Sequence, residues 1–257
     1  MYYKNISISI MDTLSNPFTW FMLITLLYTA IKQYLFIQGP QNIPYLQGIY
    51  FLTLIIIMFV VNRNMLYINC GDTEGAMGIT FKATLLPWLF MFLPMMLILY
   101  LFPIWKQPFS NTIGYMITYL AIGSKPLLRL LPDKDTPGLD AIREIYQSPF
   151  ILINKFTPVN FLDTLLVLKD IFNDTIKSIL TTEPITISNS PDILSLQHMV
   201  HLKDAISECV WYLLTGCLVL TKSFQMITDA GCTKSVEQQT NTKLTPPETT
   251  PKLPYAS

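Results

Sequence analysis

Hydrophobic positions in this chain run in long unbroken blocks separated by polar segments, and the longest block sets the plan for the rest. From Ala83 to Trp105, 23 residues pass without a charged side chain. The hydrocarbon core of a bilayer is about 30 Å thick and, at ~1.5 Å of rise per residue, takes roughly 20 apolar residues to cross. Residues 83–105 are therefore predicted to span a membrane. Pro87, Pro94 and Pro103 interrupt the block, and Pro108 lies just beyond it. Each removes a backbone donor that neighbouring helices or hydroxyls must compensate, which predicts a kinked helix held in a bundle. Trp88 and Trp105 lie near its two ends, where indole rings favour the water interfaces. Residues 109–123, FSNTIGYMITYLAIG, are only moderately apolar. They fit a re-entrant or interfacial piece, or a weak additional span.

Three other blocks follow the same logic. Residues 18–37 form a first span in which Lys32 snorkels to a headgroup layer. With one early lysine, Asp12, and Gln-Gly-Pro after the run, this segment reads as a retained span rather than a cleaved signal. Residues 45–61, centred on FLTLIIIMFVV, form a second. Ser190-Pro191 is a helix start, a hydroxyl cap followed by proline at the first helical position, and nothing stops the pattern until Gly231. The helix predicted there is about 40 residues, or ~60 Å, long. Its uncharged part, Cys209 to Thr221, is 13 residues. That is short for a span, and Lys222 is placed to snorkel at its end.

Charges and prolines return between the third and last blocks. In residues 160–180, Phe161, Leu165, Leu168, Phe172, Ile176 and Ile179 recur every three or four positions with Asp163, Lys169, Asp170, Asp174 and Lys177 between them. This is the pattern of an amphipathic helix, with Asn160 as its expected cap. Its apolar face requires a cover from the same domain, a membrane surface or a partner. The final residues are rich in Thr, Pro and Gln and bury too little apolar surface to offset chain entropy. The fold expected is all-α: a multi-pass membrane protein with about four transmembrane helices and a small helical extramembrane domain. Residues 1–124 are the N-terminal membrane region, 125–207 the helical domain, 208–228 the last span and 229–257 a disordered tail.

Composition agrees with this plan. Hydrophobic residues make up 51% of the chain and charged ones 13%, about half the usual share of a soluble domain. Seventeen basic residues balance seventeen acidic ones. No basic face is available for nucleic acid.

Candidate chemistry is sparse. The chain has no phosphate-binding glycine loop, no CxxC pair and no nucleophile elbow. His198 and His201 share a helix face, with Asp204 and Cys209 as the only nearby further ligands, so a polar face is the preferred reading over a metal site. No catalytic, cofactor-binding or metal-ligating residue is assigned, and the chain is not expected to be an enzyme. With four spans, Cys70 and Cys232 fall on the same side, so a disulfide between them is allowed, with unpaired thiols as the alternative. Charged residues within the spans are few, with Lys32 and Lys82 at ends, which gives little support for an ion path.

One stretch resembles a known group. PWLFMFLPMMLILYLFPIWKQPFSNTIGY carries Pro87 and Trp88, then Phe102, Pro103 and Trp105, then Pro108, Phe109, Ser110, Asn111, Thr112, Gly114 and Tyr115. This is similar to multi-pass virion membrane proteins of nucleocytoplasmic large DNA viruses, in the kinship of chlorella viruses and mimiviruses. Residues 211–232, WYLLTGCLVLTKSFQMITDAGC, look like that family's last span. The chain departs from the pattern at Ile104, where the family has glycine.

The resemblance implies a structural protein of the virion's internal membrane, placed there from host endomembranes during assembly. Its implied partners are the lipid bilayer and capsid or core proteins, with self-association open and nucleic acid excluded. Pro87, Trp88, Pro103, Trp105 and residues 108–115 are read as a helix-packing or contact motif. For 108–115 packing is preferred over a functional surface, because small and hydroxyl-bearing residues let helices approach and hydrogen-bond in lipid. Two alternatives stand beside this reading: a transporter or pore built on a broken helix, and an assembly or membrane-remodelling factor left out of the particle.

Overall fold

The computed structural model describes residues 16–39, 44–70, 75–133, 140–181 and 190–229, and among these there is no strand. Helix α1, Pro17–Gln38, starts where the Asn16 side chain accepts from Phe18 N–H at 2.9 Å and Pro17 presets the first turn. Helix α2 is Pro44–Cys70 and helix α3 is Ala76–Leu101. Within α3, Pro94 has no N–H for the carbonyl of Phe90, and one turn earlier the helix widens into a π-turn over Trp88–Phe92, where Leu93 N–H reaches back to Trp88 O. The helix continues there without a break to Leu101. It stops at Phe102, because Pro103 forces the preceding residue off helical geometry, and Pro103–Lys106 forms a 3₁₀ turn.

The chain then continues as α4, built from Gln107–Phe109, a π-turn over Ser110–Gly114, and Tyr115–Ile122. Gly123, at φ 77°, supplies the left-handed residue that ends it. Short helices α5 (Lys125–Leu128), α6 (Asp140–Gln147), α7 (Phe150–Ile153), α8 (Phe161–Val167) and α9 (Asp174–Thr181) follow. The last helix, α10, runs unbroken for 37 residues from Pro191 to Ile227, capped by Ser190 Oγ accepting from Ile193 N–H.

Helices α1, α2, α3 and α10 are each long and apolar enough to cross a membrane. This is an all-α, multi-pass membrane protein. Their outward faces carry large apolar side chains such as Leu27, Ile56, Phe90 and Leu218, as lipid contact requires. The bundle core is aromatic: Phe21, Tyr28, Tyr50, Phe51, Trp88, Phe92 and Tyr212 are all buried in one cluster. At its centre the Phe21 ring lies on Gly216 so closely that no Cβ fits between them.

Charge brackets the bundle at both ends. On one side Asn62 Nδ2 donates to Thr84 Oγ1 and Ser223 Oγ, both at 2.9 Å, which brings Arg63, Lys82 and Lys222 to about the same level. On the other side Lys32, Lys106 and Glu208 meet. Along α10 the two layers are 15 residues apart, or about 22 Å, so each sits at or just inside the edge of a ~30 Å hydrocarbon layer.

Above the second layer, the domain core of Leu127, Leu130, Phe156, Leu165, Phe172 and Ile176 packs on Ile193, Leu196, Met199 and Val200 of α10. One helix thus belongs to both hydrophobic cores.

Three expectations change. Trp88 is fully buried among Phe21 and Phe92 instead of lying at an interface. The helix begins at Ala76, so Lys82 marks the boundary and Trp88 lies about 9 Å beyond it. The amphipathic segment 160–180 is two helices with a 3₁₀ turn, Lys169–Ile171, between them. Asn173 breaks it, since its Oδ1 accepts from Ile176 N–H at 3.0 Å and so caps α9. Asn160 does not cap α8 with its side chain; its Oδ1 accepts from Thr157 N–H and Oγ1 instead, both at 2.7 Å.

Candidate functional site

The densest polar chemistry lies at the head of the bundle. Asp204 and Glu208 are four residues apart on α10 and therefore share a face. Lys32 from α1 and Lys106 from the 3₁₀ turn close on that face from two sides. Lys32 Nζ donates to both carboxylate oxygens of Glu208 at 2.8 Å. Lys106 Nζ donates to Asp204 Oδ2 at 2.5 Å and lies 3.6 Å from Glu208. Tyr28 OH donates to Glu208 Oε1 at 3.1 Å.

The charges sum to zero, two lysines against two carboxylates. Burial lowers the affinity of Lys106 for its proton, but the facing Asp204 and Glu208 outweigh that and hold its pKa above the ordinary value. Lys106 therefore stays charged. Breaking such a pair leaves an uncompensated charge in a poorly solvated place, at a cost of ~3–5 kcal/mol. The order of exposure matters as well: the side chains of Glu208, Lys106 and Asp204 are 6%, 13% and 16% exposed, whereas Lys32 is 38% exposed.

Beside this layer is a cavity of about 260 Å³. Lys32, Lys106, Asp204 and Glu208 form its polar side, with Gln33, Gln47 and His201, and Leu35, Phe36, Leu46 and Leu99 form its apolar walls. Beneath it the bundle is closed by rings, Tyr28 stacked on Tyr50 at 4.2 Å and Tyr212 against Phe92 at 5.4 Å. The hydroxyls in this layer are tied down: Tyr212 OH accepts from Gln47 Nε2 at 2.7 Å, and Thr25 Oγ1 and Tyr50 OH are 3.0 Å apart.

A second buried cation joins bundle and domain. Lys203, 1% exposed, donates from Nζ to Asn111 Oδ1 at 3.0 Å, Ile153 O at 3.2 Å, Phe156 O at 3.3 Å and Asn154 Oδ1 at 3.4 Å. Its ammonium sits on the carbonyl end of α7, where a positive charge is favoured.

The motif from Pro87 to Tyr115 separates into two places. Pro87 and Trp88 belong to the bundle core. Pro103 lines the cavity. From Trp105 onward the motif lies along α10. Trp105 O accepts from Trp211 Nε1 at 2.9 Å, and the Phe109 ring meets Trp211 edge-on at 4.9 Å. Pro108 O accepts from Thr112 Oγ1 at 2.6 Å, a hydroxyl bonded back to the preceding turn of its own helix. Ser110 is buried, Asn111 holds Lys203, and Gly114 presses on the backbone carbonyl of Lys203 with no room for a Cβ. Tyr115 reaches across to Phe150 of the domain.

Of the cysteines, the side chain of Cys70 and all of Cys232 lie outside the described residues, while Cys209 and Cys217 are free thiols in α10. The tail 229–257 lies outside them too, except for its first residue. His201 stacks on Phe36 with centroids 3.5 Å apart, and His198 meets the same ring edge-on. Among the described residues no three His, Cys, Asp or Glu side chains converge as metal ligands.

The four-charge layer escaped the sequence reading. Its members come from three segments, each unremarkable alone: a lysine near a span end, a lysine after a proline, and two acids on a helix. The available signal was their count, two lysines and an i,i+4 acid pair bordering otherwise uncharged runs. No protein-family model, curated protein or solved structure matches this chain.

Proposed function

We propose that this chain is a structural membrane protein that holds a helical domain at a fixed height above a bilayer, anchoring a virion's inner membrane to capsid or core proteins. The observation that carries the anchoring role is α10. It contributes Tyr212 and Val219 to the bundle core and Leu196, Met199 and Val200 to the domain core without a break, which couples the position of one to the other. The domain side also keeps large apolar side chains in the open, Leu120, Val159 and Val167 each at least 75% exposed. Exposed apolar surface away from lipid favours contact with another protein. The virion setting rests on the resemblance of residues 87–115 and 211–232.

Cross-linking mass spectrometry on intact purified particles tests the whole reading. Links from Lys155, Lys169 or Lys177 to capsid or core proteins are expected. Absence of the chain from particles, with abundance in infected-cell membranes, would sink the virion role in favour of an assembly factor.

The ion-pair layer and its cavity favour one rival, a transporter, since charges inside spans commonly mark ion routes. The charges here are mutually compensated, and the aromatic layer below them is packed across the bundle. Purified protein in liposomes is accordingly expected to give no ion flux above that of protein-free vesicles.

A further inference from the structure

We infer that the cavity beside the ion-pair layer binds a membrane glycerophospholipid, with the phosphodiester at Lys32 and the acyl chains leaving past Tyr100 along the outside of α3. This does not depend on a viral setting; it needs only the membrane bundle.

The ligand class follows from which group is left with capacity. Glu208 is saturated by two lysines and Tyr28, and Asp204 and Lys106 hold each other. Lys32 is the most exposed member of the layer, and its ammonium has three N–H groups. Two are directed at Glu208, which leaves one for a further acceptor. Gln33 and Gln47 add amide groups to the same wall. An acceptor-only anion matches this arrangement, and a phosphate is the acceptor-only anion that a bilayer presents at headgroup depth. A cation would have to reach a buried Glu208 or a partly buried Asp204, each already paired with a lysine.

The walls fix where the ligand comes from. Leu35, Phe36, Leu46, Leu99 and Tyr100 line the cavity, and Tyr100 is 64% exposed on the bundle's outer face. Leu97, three residues before Tyr100 on α3 and 49% exposed, continues that apolar face below the cavity. A free phosphate uses none of this surface, whereas a lipid covers it with its chains. The cavity, at about 260 Å³, is smaller than a typical pocket for a whole drug-sized ligand. It suits a headgroup whose tails remain outside.

The test is native mass spectrometry of the delipidated full chain, titrated with dimyristoyl phosphatidylglycerol or with glycerol phosphate. One lipid is expected to bind in preference to further copies, with glycerol phosphate failing to compete at equal concentration. Lys32→Arg keeps the Glu208 pair and a donor, and retains binding. Lys32→Met weakens binding at least tenfold. Leu46→Trp fills the cavity from the first turn of α2 while leaving all four charges in place, and is expected to weaken binding to a similar degree. If Lys32→Met fails to fold by circular dichroism, Leu46→Trp decides alone. Lipid affinity unchanged in Leu46→Trp, or glycerol phosphate competing as well as lipid, overturns the assignment.

Discussion

Glu208 is the residue on which the head of the bundle converges, since α1, the turn after α3 and α10 all meet at its carboxylate. Removing it leaves Lys32 and Lys106 facing one another with a single acid, Asp204, between them. Glu208→Ala is expected to destabilise the protein by about 3–5 kcal/mol, the range for breaking one side of a buried pair, read as a lowered unfolding midpoint in detergent. Glu208→Gln retains the hydrogen bond from Tyr28 and falls between. Gly216 is a second point of this kind, for steric reasons. A methyl group there collides with the ring of Phe21, and overpacking of this sort costs ~1–3 kcal/mol. Gly216→Ala is therefore expected to lower the midpoint, and Phe21→Leu to restore part of it in the double variant. Additive losses in that cycle would show that the two positions are not in direct contact.

Among the elements, α10 and α4 are joined by a lysine and a glycine. Lys203 feeds the carbonyls at the end of α7, while Gly114 brings α4 against the backbone of Lys203 itself. Lys203→Met takes the ammonium from Phe156 O, worth about 1–3 kcal/mol when left unsatisfied, and strips a second hydrogen bond from Ile153 O, which keeps the one from Phe156 N–H. The loss is local to the α7 region, so hydrogen exchange should accelerate in residues 150–156 and leave the centre of α10 unchanged. Acceleration spread evenly over the bundle would contradict this.

The elements also show what the sequence could convey. Helices α1, α2 and α3 were legible because an apolar block of some 20 residues has few alternatives, and α10 because Ser190-Pro191 satisfies its first turn locally and nothing stops the pattern before Gly231. The break inside 160–180 was not. The apolar period continues through it, and only the side chain of Asn173, bonded to Ile176 N–H and to Arg129 O, ends one helix and starts the next. The site was legible residue by residue and not as a group. Pairing Lys32 with Glu208 joins positions 176 apart, which no local pattern encodes.

Across the whole molecule the two cores share one helix, so bundle and domain are expected to form a single rigid body. Spin labels at Phe90, on the lipid face, and Val167, on the domain surface, are both at exposed positions. Double electron–electron resonance between them should give one narrow distance distribution. A broad or two-peaked distribution would mean that the domain swings on the bundle, and the anchoring role would lose its mechanical basis.

The uncharged part of α10, 13 residues or about 20 Å, is shorter than the hydrocarbon layer it crosses. A stretch shorter than the layer gains nothing by leaning; the bilayer thins around it and Lys222 snorkels to the surface. From Glu208 to Pro191 it extends a further ~25 Å beyond the lipid edge, with the domain fixed to that end. The domain's height is therefore set above a locally thinned bilayer. Thickness mismatch becomes membrane deformation, and the chain works as a rivet that pinches the bilayer beneath the domain.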